Sequence, residues 1–128
     1  MATTVEYGTY VIDLCTAMLD NPGGLNQPQA QRVAQMREAT IKFLTEYLRH
    51  ESSSLPDLLN YLGREATPPL RALIGHCNMV LEGKHGRIAD DYGEAIVEIR
   101  DCGYAIYDEI EDMRENLEQL MGDLGMVQ

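Results

Sequence analysis

Basic residues are scarce in this chain. Ten lysines and arginines stand against 21 aspartates and glutamates, a net charge of −11 at pH 7. A nucleic-acid backbone requires a basic surface to displace its counterions, so no nucleic acid is expected as a partner, and no anionic membrane either. Ordinary solubility, or a partner with a basic face, remains. Cysteine is equally sparse. Cys15, Cys77 and Cys102 make an odd count with no C-x-x-C pair. That argues against a disulfide framework or a metal site, and for reduced side chains on apolar helical faces. No apolar run approaches the ~20 residues that cross a bilayer. No secretory leader opens the chain, and a soluble, cytoplasmic protein is expected. There is no glycine-rich loop of the P-loop type and no Ser-His-Asp spacing, so no enzyme activity is expected. Strand signals are nearly absent.

Helical periodicity is abundant. The spacing predicts an all-α fold, an antiparallel four-helix bundle made of two helical hairpins within one domain, residues 1–128. Hairpin one covers 4–50, a linker 51–54, and hairpin two 55–122. The first helix runs from about Thr4 to Asp20, with Val5, Ile12, Cys15 and Leu19 on one face, and Asn21-Pro22-Gly23-Gly24 breaks it. The second opens at Asn26, with Gln29 as its capping-box partner and Pro28 in the first turn. Val33, Ile41, Leu44 and Leu48 form its stripe. Ser54 with Asp57 signals a third helix, carrying Leu55, Leu58, Leu62, Ala66, Leu70, Leu73, Cys77 and Leu81. Pro68-Pro69 falls inside it, where the missing N–H groups predict a bend. The fourth helix runs from about Asp90 to Gly122. Its stripe is Tyr92, Ala95, Ile99, Cys102, Ile106, Ile110, Met113, Leu117 and Leu120, the threes and fours of a bundle seam. The opposite face is acidic, from Glu98 and Asp101 to Glu115 and Glu118.

The chain also matches itself. Ile12-x-x-Cys15-x-x-x-Leu19 aligns with Ile74-x-x-Cys77-x-x-x-Leu81, and Gly24 with Gly86, at a constant spacing of 62 (74 − 12). One residue, Arg87, is then added. At the new spacing of 63 (96 − 33) Val33 pairs with Ile96, Met36 with Ile99, and Arg37 with Arg100. A chain with two hairpins is able to build a four-helix bundle alone.

Residues 64–81, REATPPLRALIGHCNMVL, resemble the first helix of a sensor histidine kinase dimerisation and phosphoacceptor domain. Glu65, Pro69, Leu70, Ala72, Leu73, Ile74 and Gly75 take the family's positions. GRIADDYGEAIVEIRDCGYAIYDEIEDM resembles the second helix of that hairpin, and the likeness covers roughly residues 60–115. Two departures stand out. Arg64 occupies the place of the phosphorylated histidine, and Thr67-Pro68 replaces the usual Arg-Thr pair. A guanidinium stays protonated and accepts no phosphoryl group. In the first copy the same position falls at Ala2. The resemblance therefore implies a non-catalytic docking module of two-component signalling, with a response-regulator receiver domain or a sensor kinase as partner and no cofactor. It implies a docking face in the groove between the third and fourth helices, with Leu62, Glu65, Thr67, Pro68, Leu70, Arg71 and Leu73 around Arg64. A homodimer is the alternative to closure within one chain.

Other chemistry is weakly signalled. His76 lies twelve residues beyond Arg64, about 120° round the helix, and reads as a surface or boundary histidine. A phosphotransfer or receiver-phosphatase protein using His76, or a plain oligomerising bundle, are the other readings. His50 and His85 fall at helix ends, where a cation suits the dipole, with His50 expected to be exposed. The acidic fourth helix reads as a solvated face. Di-metal bundles need Glu-x-x-His on two helices, and Glu82-x-x-His85 occurs once.

Overall fold

The computed structural model describes residues 3–21 and 23–125. Ala2 and Pro22, which carried two of the expectations above, lie outside them. Helices make up the fold: α1 (Thr4–Leu19), α2 (Gln27–Arg49), α3 (Leu55–Arg64), α4 (Thr67–Leu81) and α5 (Asp90–Asp123), with a 3-10 turn over His50–Ser52. No strand forms among the described residues.

Side chains set the helix starts. At α2, Asn26 Oδ1 accepts from the Gln29 amide at 2.8 Å while Gln29 Oε1 accepts from the Asn26 amide at 3.0 Å. This is the reciprocal capping box expected from sequence. A second box, Thr3 with Glu6, opens α1. At α3 only half of the signature is made: Ser54 Oγ accepts from the Asp57 amide at 3.3 Å. The expected linker at 51–54 is the end of the 3-10 turn followed by this cap.

The helix expected over 55–81 is two helices. α3 ends at Arg64, the amides of Glu65 and Ala66 both bond to the Tyr61 carbonyl, and α4 begins at Thr67. A bend would leave the carbonyls of Arg64 and Glu65 facing proline nitrogens that cannot donate. With the break, Pro68 and Pro69 fall in the first turn of α4, where no N–H is needed. Five helices thus replace the expected four.

α1 packs against α2 and α5, and α4 packs against the same two helices. α3 lies mainly on the far end of α5. The core forms two clusters. One gathers Val11, Cys15 and Met18 with Val33, Met36, Leu73, Cys77, Val80, Ile96 and Ile99. The other gathers Phe43 and Leu44 with Tyr61, Leu62, Ala66, Leu70, Ile106 and Ile110. Each fully buried Leu or Ile contributes roughly 1.5–3 kcal/mol relative to exposure.

Several stripe assignments shift. Ile41 and Leu48 are each 45% exposed, and Met36, Thr40 and Phe43 face the core in their place. On α1 the buried line is Thr4, Gly8, Val11, Cys15 and Met18, one residue off the expected Ile12 and Leu19. At the end of α5, Met121 is buried and Leu120 is 42% exposed. A straight helix drifts past a strict seven-residue repeat, so a stripe extended at that repeat to 120 falls one position short of the buried Met121.

The two hairpins share a register. Val11, Cys15 and Met18 in α1 and Leu73, Cys77 and Val80 in α4 are all buried, at the spacing of 62 found in sequence. Val33, Met36 and Phe43 in α2 match Ile96, Ile99 and Ile106 in α5 at the spacing of 63. Arg37 Nη1 donates to Thr16 Oγ1 at 3.3 Å, and at the matched positions Arg100 Nη1 donates to Asn78 Oδ1 at 3.0 Å. The corners differ. Gly86 has φ +99°, whereas in the first corner the left-handed residue is Gly23 at φ +82° rather than the aligned Gly24.

Candidate docking site

The expected docking residues divide into two sets. Leu62, Leu70 and Leu73 are at most 1% exposed and Thr67 is buried, so these four face the core and are unavailable to a partner in this fold. Their helical spacing is the core stripe itself. Arg64, Glu65, Pro68 and Arg71 are exposed.

Arg64 is the last residue of α3 and Glu65 caps it. Together with Pro68 and Pro69 they form one side of a cleft of about 360 Å³, and Lys42, Phe43 and Glu46 of α2 form the other. Tyr61 closes its inner end. Its ring stacks on His50, centroids 4.1 Å apart and planes within 11°. Among the described residues its buried hydroxyl has no hydrogen-bond partner. Burial, with the carboxylate of Glu46 behind it, pushes the phenol well above its ordinary range. His50 is half-buried, not exposed as expected. The carbonyl of Glu46 lies 2.9 Å from His50 Nδ1 and accepts its N–H.

A second groove, of about 480 Å³, runs between α4 and α5. Arg71, Ile74, Gly75 and Asn78 line it from α4, and Tyr104, Tyr107 and Asp108 from α5. Gly103 brings the two helices close. A Cβ there would meet Ile74 at 3.1 Å, so Ile74 sits directly over the α5 backbone and floors the groove. Arg71 lies across one end, its guanidinium 6.0 Å from the Tyr107 ring centre and Nη2 donating to the Tyr107 hydroxyl at 3.4 Å.

His76 points to the other side of α4, toward α2. Arg32 Nη1 lies 2.9 Å from His76 Nδ1, and Arg32 Nε donates to His85 Nε2 at 3.0 Å. The guanidinium only donates, so both ring nitrogens act as acceptors and neither imidazole is a cation in this arrangement. Partial burial, then the charge of Arg32, lowers the pKa of His76.

The thiols of Cys15 and Cys77 are fully buried, and burial pushes both up to about 12. Thiols so far from ionisation are poor nucleophiles at neutral pH. Among the described residues no three histidine, cysteine, aspartate or glutamate side chains gather into a metal-binding group. No described helix is long and apolar enough to cross a membrane.

Sequence reasoning names Arg64, Glu65, Pro68 and Arg71, which are exposed, but not Tyr104, Tyr107 or Arg32. Tyr104 lies off the apolar stripe, among acidic neighbours. An aromatic residue on a face rich in carboxylates is the signal that could have pointed to it. Compared with known proteins, the chain matches no family model, no curated protein and no solved structure.

Proposed function

We propose that this chain is a non-catalytic docking module of two-component signalling. In this reading it is a single-chain imitation of a histidine kinase dimerisation domain, an antiparallel four-helix bundle of two hairpins in one domain. It binds a response-regulator receiver domain or a sensor kinase. The observation that carries the reading is the shared register of the hairpins. Buried positions repeat at spacings of 62 and 63, and the Arg37–Thr16 bond has its counterpart in Arg100–Asn78. Two equivalent hairpins that bury one another's stripes are what a dimer of single hairpins becomes when its halves are joined.

The contact surface in this reading is the exposed remainder of the expected face, Arg64, Glu65, Pro68 and Arg71, with the cleft and groove beside them. Arg64 holds the acceptor position at the solvent-exposed end of α3. A receiver domain would meet there the exposed end of α3 and the start of α4, without a group to take its phosphoryl.

Light scattering behind a sizing column tests the one-piece bundle. A molar mass near 14.4 kDa is expected; a dimer would show that hairpins pair between chains. Calorimetric titration with purified receiver domains tests the docking, and absence of heat at micromolar concentration with every receiver tried would end it. Arg64→His, mixed with a phosphorylated receiver and analysed under conditions that preserve phosphohistidine, tests the ancestry. Label at position 64 supports it.

A further inference from the structure

The two hairpins share their core but not their outer faces, and the difference is concentrated at the α4/α5 groove. Gly75 is an exposed glycine in the interior of α4, and a Cβ built on it would meet nothing within 4 Å. Glycine there costs the helix about 0.5–1 kcal/mol relative to alanine, and no neighbour within the chain demands it. The matched residue in α1 is Asp13. Opposite Gly75 stands Tyr104, 50% exposed, where α2 has Ile41. Tyr107 lines the groove, whereas its counterpart Leu44 is buried over Gly8. Asp108 replaces Thr45, and Arg71 replaces Thr9. One hairpin thus carries an aromatic-walled slot beside Gly75 that the residues at the matched positions of its twin do not reproduce.

The charge around the slot selects the occupant. On the outer face of α5 the exposed residues Val97, Asp101, Tyr104, Asp108 and Glu115 follow one another at helical spacing, so carboxylates bracket Tyr104 on both sides. The only cation lining the groove is Arg71, which lies against Tyr107. A second copy of this chain would bring the same carboxylates against themselves. The geometry points to a basic amphipathic helix of another protein as the ligand of this groove, one per chain. One of its apolar side chains lies over Gly75 between Tyr104 and Ile74, and its lysines or arginines face Asp101 and Asp108. The inference rests on the docking reading only in taking this side of α4 and α5 as the contact surface. It adds the partner's chemistry and a stoichiometry of one where two equivalent hairpins would give two.

The test uses the whole chain, isotope-labelled, titrated with an 18-residue leucine/lysine amphipathic peptide, and with its leucine/glutamate counterpart as control. The expected result is saturation at one lysine peptide per chain, with shifts centred on residues 71–78 and 104–108 and none from the glutamate peptide. Gly75→Leu, which fills the slot without touching the core, is expected to weaken binding at least tenfold, and Tyr104→Ala to weaken it several-fold. Asp13→Leu, the matched change in hairpin one, leaves it unchanged. Two peptides per chain, shifts centred on α2, or an unaltered affinity in Gly75→Leu would overturn the proposal. A receiver domain that binds while the lysine peptide does not would sink the basic-helix claim and leave the docking reading standing. Peptide binding without any receiver binding would do the reverse.

Discussion

Arg32 and His76 are joined across the α2–α4 interface, Nη1 of the first lying 2.9 Å from Nδ1 of the second. The bond requires a neutral imidazole that carries its proton on Nε2. Burial and Arg32 lower the folded-state pKa of His76 below the unfolded value near 6.5. The neutral form is therefore favoured by folding. This contribution to stability is fully present above pH 6.5 and is lost as pH falls toward the folded pKa, because the unfolded chain takes up the proton first. Urea midpoints are expected to drop between pH 7.5 and pH 5.5, and His76→Gln is expected to flatten part of that slope. Identical slopes for the two proteins would assign the dependence to other groups.

Glycine positions supply a paired prediction. A Cβ at Gly8 would lie 2.8–2.9 Å from three atoms of Leu44, whereas at Gly75 it meets nothing. Gly75→Ala is expected to stabilise the chain by about 0.5–1 kcal/mol through helix propensity alone. Gly8→Ala gains the same propensity but overpacks the core at a cost of about 1–3 kcal/mol, so it is expected to destabilise. Opposite signs in denaturant unfolding would bear this out, and equal signs would mean that Leu44 yields without cost.

Much of this architecture was legible in the residues. The Asn26–Gln29 box fixed the start of α2, and the glycine-rich segments marked both corners. The spacing between the two cysteine-centred stripes gave the register in which the hairpins are buried. The break at Glu65 was not legible as a break. Two prolines within a long apolar pattern signal a fault in the ladder, but whether it bends or divides depends on where the freed carbonyls turn. Here the amides of Glu65 and Ala66 converge on Tyr61. Cys15, Val33 and Leu44 are buried as their stripes predict, whereas Ile12, Leu19 and Ile41 lie one residue off the buried line, in which Gly8 and Thr40, neither of them a large hydrophobe, take part. For the candidate site, the motif named a stretch of chain, and half of it proved to be core. Leu62, Leu70 and Leu73 repeat at the spacing that packs a helix, and Tyr104 and Tyr107 line the groove from the second helix of the likeness, where the motif singles out no docking residue.

The buried thiols give a chemical prediction. With Cys15 and Cys77 held up to about 12 and shielded from solvent, neither is expected to react with a thiol reagent at pH 7.5 in the native chain. All three cysteines should react in denaturant. Rapid native labelling of Cys15 or Cys77 would show that the core near the corners opens on the time scale of the assay.

A core truncation separates the two clusters. Leu73→Ala removes a fully buried side chain from the cluster that joins all four long helices and is expected to cost about 2–5 kcal/mol. Leu58 of α3, which is only half-buried and packs against the other cluster, should cost less on the same change. Equal losses would mean that α3 is as integral to the fold as α4.

The corner between α4 and α5 is held by α2 as well as by its own turn bonds, such as that from the Gly86 amide to the Gly83 carbonyl at 3.1 Å. Asn26 donates to the His85 carbonyl at 2.7 Å, and Gln29, 3% exposed, donates to the carbonyls of Gly86 and Arg87. The same two residues form the cap that starts α2. One hairpin's opening turn thus serves as the latch for its twin's corner, across 57–59 residues of chain. Fraying at either place is expected to release the other, so that amide exchange at the start of α2 and through residues 85–88 should follow one cooperative opening, although the two stretches are remote in sequence.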